Sequence, residues 1–189
     1  MKPRRLPLLG VLLAAAAFAA EPLPGESLYQ LPLRLTLQDG SSLPLAGLRG
    51  SPTVITMFYA SCDGVCPAIA FSMRRMEKSL DAAQRARMQW LMVSFDPARD
   101  NVEALRTFAT DNNLDTGRWR LARAETSGVR DLAAALNIRY RELENGVFSH
   151  STEIVLLDAD GVIRARTSNL TSLDPEFRRA IAAQLERQR

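Results

Sequence analysis

The chain has 189 residues, 47% of them hydrophobic, with 24 basic and 21 acidic side chains, two cysteines and a single histidine. Two cysteines exclude a disulfide-scaffolded fold. Three of the basic residues, Lys2, Arg4 and Arg5, precede an apolar leader, so the rest carries 21 basic against 21 acidic side chains, which excludes a nucleic-acid footprint.

Behind Lys2, Arg4 and Arg5, residues 8–20 form an uncharged apolar run, and Ala17-Phe18-Ala19 places small residues at both cleavage-determining positions. An export signal over residues 1–19, cleaved after Ala19, is expected. The run is 13 residues long, short of the roughly 20 needed to span a membrane, and retention as an anchor is the alternative. The expected location is therefore periplasmic, soluble or tethered at the outer face of the inner membrane. Residues 20–30 carry Pro22, Pro24 and Gly25 with little periodicity and are predicted as a flexible leader. One ordinary domain is expected over 31–189.

Residues 33–38 alternate with period two, Asp39-Gly40 signals a tight turn, and 43–48 return, which predicts an N-terminal hairpin at the edge of the fold. Residues 54–59 are β-branched and aromatic without alternation, as in a central strand covered on both faces. From Pro67, taken as the first helical position, Ile69, Met73, Met76 and Leu80 recur at helical spacing. A second buried strand is predicted over 90–95. Asp100-Asn101-Val102-Glu103 reads as a capping box opening a helix through about Asp111. A short strand over 119–122 and a helix marked by Val129, Leu132 and Leu136 follow. Residues 138–143 are predicted to pair with Phe148. A hairpin is expected from 153–157 and 162–166 around Asp160-Gly161, and a last helix from Phe177, Ile181 and Leu185. Strands alternating with helices, with hairpins at two places, predict an α/β domain with a mixed sheet flanked by helices. Met57, Met73, Met76, Met88 and Met92, like Trp90 and Trp119, lie within apolar patterns and are predicted as core.

The chemistry concentrates in Ser61-Cys62-Asp63-Gly64-Val65-Cys66-Pro67, at the junction between the predicted central strand and a helix. Groups at the C-terminal end of such a strand project into the crevice where ligands bind. A helix N-terminus favours a thiolate, and a spacing of four permits both sulfurs on one side or a bridge between them. His150 follows the Asn145-Gly146 loop and immediately precedes a strand, so it can lie at the same edge. Two thiolates and one imidazole suit Cu(I), and with an added ligand Cu(II), whereas a closed structural zinc site needs four such ligands. The alternative is a redox-active Cys62/Cys66 pair in a thiol-disulfide oxidoreductase or redox sensor. Against it, the spacing is one residue longer than C-x-x-C and no proline occurs between Pro97 and Pro175 to face the dithiol. A peroxiredoxin-type peroxidase would need proline at Ile55 and threonine at Tyr59. A local structural disulfide, or two packed thiols, is the plainest reading of the two cysteines, and a hydrogen-bonded side chain that of the histidine.

Over roughly 31–189 the chain resembles the SCO (Sco/SenC) copper proteins in element order. The resemblance rests on Phe58-Tyr59 ahead of Cys62, the C-x-x-x-C-P run ending at Pro67, Ser94-Phe95-Asp96-Pro97-Ala98-Arg99-Asp100, and His150 before Leu156-Leu157-Asp158-Ala159-Asp160-Gly161. It implies a thioredoxin-like fold, with Cys62, Cys66 and His150 as copper ligands. It further implies copper delivery to the binuclear copper site of cytochrome c oxidase, reduction of that site's cysteines, or both. The implied partners are the oxidase copper-site subunit or another copper protein, and a thiol reductant, since Cu(I) needs both sulfurs reduced in an oxidising compartment. A monomer without nucleic-acid partners is expected. Asp96 corresponds to an acidic residue of the family's D-P-x-R-D loop near the metal; from the residues alone it is a turn residue ahead of a helix capped by Asp100. Ser149 stands where many members have aspartate, and residues 63–65 lack a proline often found there.

Overall fold

The computed structural model describes residues 21–188, so the predicted export signal over 1–19 lies outside the described residues. Among them the elements follow as β1 (Arg34–Leu37), β2 (Ser42–Pro44), β3 (Thr53–Phe58), α1 (Val65–Lys78), α2 (Ala82–Ala86), β4 (Gln89–Ser94) and α3 (Val102–Asp111). Then come β5 (Trp119–Arg123), α4 (Thr126–Ala135), β6 (Tyr140–Glu142), β7 (Phe148–His150), β8 (Ile154–Leu157), β9 (Ile163–Thr167) and α5 (Pro175–Arg187). Seven strands form one mixed sheet in the order β2-β1-β5-β4-β3-β8-β9. β3, β4 and β5 run parallel, and the remaining pairs are antiparallel. β6 and β7 form a separate two-stranded sheet. This is the predicted α/β class with a mixed sheet, and both predicted hairpins are present, although the returning strand of the first, expected over 43–48, ends at Pro44 and Leu45–Leu48 form a 3-10 turn.

The unalternating apolar run of β3 has its physical reason in the sheet: it lies between β4 and β8 and is buried at every position. Its two threonines are tolerated there because each hydroxyl is bonded, Thr56 to the Glu153 carbonyl at 2.6 Å and Thr53 to the Tyr29 hydroxyl at 3.3 Å. Trp90 and Trp119 face each other across β4 and β5 and stack at 5.4 Å. The Trp119 indole N–H donates to the buried Glu77 carboxylate at 2.9 Å. All five methionines predicted as core are buried. Helix α3 packs against β5 and β1, and α5 against β8 and β9.

Four local expectations need correction. The leader expected over 20–30 is docked from Ser27 onward: Leu28 and Tyr29 are 5% and 3% exposed within a 3-10 turn. The turn is held by the Leu28 N–H on the Gly161 carbonyl at 2.9 Å and by Tyr29 packed on Gly161, whose φ of 82° a side chain would strain. Helix α1 starts at Val65, which makes Pro67 its third residue, and it ends before Leu80. Helix α2 was not expected, because five residues are too few to show a period; an Asp81/Gln84 capping box sets it. Helix α3 is capped by Asn101, whose side chain accepts from the Ala104 N–H at 2.9 Å. Asp100 turns inward instead and is 1% exposed.

Candidate metal centre

Beyond Phe58 the chain leaves the sheet through a short loop and enters α1. Three contacts shape this loop. The Ala60 N–H donates to Asp100 Oδ2 at 2.9 Å, the Cys62 N–H to the Tyr59 carbonyl at 3.3 Å, and the Cys66 N–H to Cys62 Sγ at 3.4 Å. Gly64, the N-cap of α1, has no side chain to satisfy the orphan donors, and Pro67 removes one of them. The Cys62 sulfur takes the capping role and so lies in the field of the helix N-terminus. Cys66, in the first turn of α1, is fully buried, while Cys62 is 8% exposed and opens on a cleft of about 690 Å³ lined in part by Arg99, Asp100, Ala104 and Phe108.

His150 is the last residue of β7, opposite Tyr140. Its hairpin shares no ladder with the main sheet and docks on it through rings. Phe95 stacks on Tyr140 at 5.1 Å and meets Phe148 at 5.2 Å, and Tyr59 meets Phe148 at 5.3 Å. The imidazole lies 4.9 Å from the Phe95 ring and edge-on to Tyr59 at 6.2 Å. Nδ1 is 3.1 Å from the Ser151 carbonyl, which can only accept, so in the neutral ring Nδ1 carries the proton and Nε2 the lone pair. Nε2 is 3.8 Å from Cys66 Sγ, and the ligand atoms of Cys62, Cys66 and His150 all lie within 4.8 Å of one another.

The two sulfurs are not equivalent. Burial opposes charge on Cys62, yet hydrogen bonds from the Cys66 thiol, the Cys66 and Gly64 N–H groups and the Tyr59 hydroxyl outweigh it and hold Cys62 below the ordinary thiol value. Burial first, and then the neighbouring Cys62 sulfur, push Cys66 well up. Tyr59 is pushed up to about 12 by burial and by the same sulfur. Both cysteines are free thiols. Two thiols, Cys62 the more acidic of them, and an imidazole converge on one point, a donor set that suits a soft metal ion of low coordination number.

The three residues predicted as ligands are thus brought together. Asp96 is a turn residue: its carbonyl accepts from the Arg99 and Asp100 N–H groups and its carboxylate pairs with Arg99. Sequence reasoning gave no role at the metal centre to Tyr59, Phe95, Arg99, Asp100 or Phe148, which shape it. For Phe95, Arg99 and Asp100 the available signal was the run Ser94-Phe95-Asp96-Pro97-Ala98-Arg99-Asp100, one of the segments on which the family resemblance rests.

A family model described as SCO1/SenC matches residues 22–186. A protein of Stutzerimonas stutzeri whose name assigns it copper binding is 25% identical over 150 residues, covering 75% of this chain and 70% of the relative. The solved structure of Bradyrhizobium japonicum ScoI with copper bound superposes with a TM-score of 0.68 at 21% identity, covering 84% of this chain and 98% of that one. BsSco, described as a member of the Sco family of cytochrome c oxidase assembly proteins with a disulfide switch, gives a TM-score of 0.70 at 20% identity, covering 82% and 92%. The last two likenesses are of fold, and that fold is the thioredoxin-like one the sequence resemblance implied.

Proposed function

The chain belongs to the SCO1/SenC family, and we propose that it is an exported copper-binding chaperone that loads or prepares the binuclear copper site of cytochrome c oxidase. In this reading Cys62 and Cys66 hold Cu(I) and His150 completes the site. The observation that carries it is the convergence of three soft or borderline donors within 4.8 Å at the C-terminal end of the central strand. The copper is cargo. The protein's own residues supply the rest: Cys62 offers the more acidic thiol, the Ser151 carbonyl fixes the imidazole tautomer, and both thiols release their protons to solvent as the ion enters. The Tyr59, Phe95 and Phe148 rings keep water from one side of the site. Support for the oxidase as destination comes from the family and from the description of BsSco.

The test is an anaerobic Cu(I) titration of the reduced protein against a competing chelator, with Cys62→Ser, Cys66→Ser and His150→Ala alongside. One tight equivalent that weakens in all three variants supports the reading. Unchanged binding in all three overturns the ligand assignment. Absence of competitive binding combined with rapid dithiol exchange moves the function to a thiol-disulfide oxidoreductase acting through the same cysteines.

A further inference from the structure

His150 stands on a two-stranded hairpin that no main-sheet ladder holds in place. Apart from the three residues that join it to β8, its distance from the cysteines is set by side-chain contacts, and one of these grips the hairpin on both strands. Arg99 Nη2 pairs with Glu142 Oε1 of β6 at 2.9 Å, and its guanidinium carbon lies 5.2 Å over the Phe148 ring of β7. Glu142 and Phe148 are partners in register, so the guanidinium spans one rung of the hairpin, and Phe148 lies two residues before His150 on the same strand face. At the hairpin turn, a Cβ added to Gly146 would come within 3.1 Å of Arg99 Nη1, so the turn closes directly over the guanidinium. The other side of the fork pairs with the buried Asp96 carboxylate in the loop after β4. The next residue, Asp100, holds Ala60 two positions before Cys62.

We propose that Arg99 is a positioning residue that sets His150 against Cys62 and Cys66, an inference that rests on the copper-ligand reading of the site. A single exposed ion pair has little power to fix geometry. Arg99 differs in joining one buried and one exposed carboxylate and an aromatic face with a planar group whose donors are fixed relative to one another. The segment from Asp96 to Asp100 then works as a brace, with adjacent residues tied to the thiol loop and to the imidazole hairpin. Lysine at 99 keeps a charge for Asp96 or Glu142 but cannot serve both while covering Phe148.

The experiment measures Cu(I) affinity by chelator competition for the protein, Arg99→Ala, Arg99→Lys, His150→Ala and the Arg99→Ala/His150→Ala pair. In the same set, metal-free amide exchange is followed at Phe148 to His150 and at β3. Arg99→Ala is expected to weaken Cu(I) binding about tenfold, the scale on which outer contacts tune metal ligands, and Arg99→Lys to recover only part of it. Arg99→Ala is expected to change nothing further once His150 is absent, and to speed exchange at Phe148 to His150 while β3 stays protected. An equal loss in the His150→Ala background, or undiminished affinity in Arg99→Ala, overturns the proposal. If His150→Ala binds Cu(I) as tightly as the unaltered protein, the ligand reading is what fails. The exchange data then decide on the brace alone, and unchanged exchange in Arg99→Ala overturns it.

Discussion

Replacing Asp100 by alanine is the sharpest probe of how the thiol loop is held. Asp100 is 1% exposed, and its Oδ2 accepts from the Ala60 N–H at 2.9 Å and from the Ser94 hydroxyl. Both donors lose their acceptor in Asp100→Ala. A buried unpaired donor costs about 1–3 kcal/mol; the serine hydroxyl can rotate and recover part of this, and removal of a buried carboxylate returns some desolvation. The net expected loss is about 2–3 kcal/mol, which for a chain of this size lowers Tm by about 4–12 °C. Asp100→Asn keeps an amide oxygen for Ala60 and should lie within about 1 kcal/mol of the unaltered protein. Burial lifts the Asp100 carboxyl above its ordinary 3.8, so the ionised form costs stability at neutral pH. That cost shrinks as pH falls towards 3.8, so Asp100→Asn should compare better with the unaltered protein at pH 7 than at pH 4. The assay is urea unfolding followed by the fluorescence of the buried Trp90 and Trp119, with alkylation of Cys62 as a local readout of the loosened loop. An Asp100→Ala protein as stable as the parent, or an Asp100→Asn protein as damaged as Asp100→Ala, would show that the acceptor at this position is not what holds the loop.

Saturation with Cu(I) at about a thousandfold over Kd should add about 4 kcal/mol and raise Tm by about 8–16 °C in anaerobic thermal melts, a shift lost in Cys66→Ser. Limited iodoacetamide should modify Cys62 well before Cys66, because Cys62 opens on the cleft and Cys66 is fully buried; peptide mapping by mass spectrometry gives the order. Glu77→Ala, which strips the Trp119 indole N–H and Arg118 Nε of their acceptor while Arg118 keeps Asp115, should cost about 2–3 kcal/mol in urea unfolding, and Glu77→Gln roughly half as much. Asp174 caps α5 through the Glu176 and Phe177 N–H groups and accepts from Thr167, contacts that hold its carboxyl below 3.8. Asp174→Ala should therefore cost about 1 kcal/mol at pH 7, and the difference from the parent should close as pH falls through the lowered value, where the capping carboxylate is protonated.

The sequence by itself determined the fold class, the order of the elements and the identity of the candidate ligands. Long strands and helices announce themselves through burial: β3 is apolar at four of its six positions without alternation because both its faces are covered, and α1 repeats at three and four because one face is. With two cysteines and one histidine in the chain, the choice of soft donors was equally constrained. The docking of Leu28 and Tyr29, the inward turn of Asp100 and the five-residue α2 were not legible, since each depends on a partner remote in sequence or on too few residues to make a pattern. Only the tertiary structure decided that Cys62, and not a serine or aspartate, caps α1, and that Nε2 of His150 faces the sulfurs. It also decided that the histidine rides on a hairpin outside the main sheet, held by Arg99 and a cluster of rings. Periodicity encodes how much water a side chain must leave, which is a local quantity. The distance between an imidazole and a thiol separated by 84 positions is set by contacts among residues from four segments of the chain, and no local pattern carries that number.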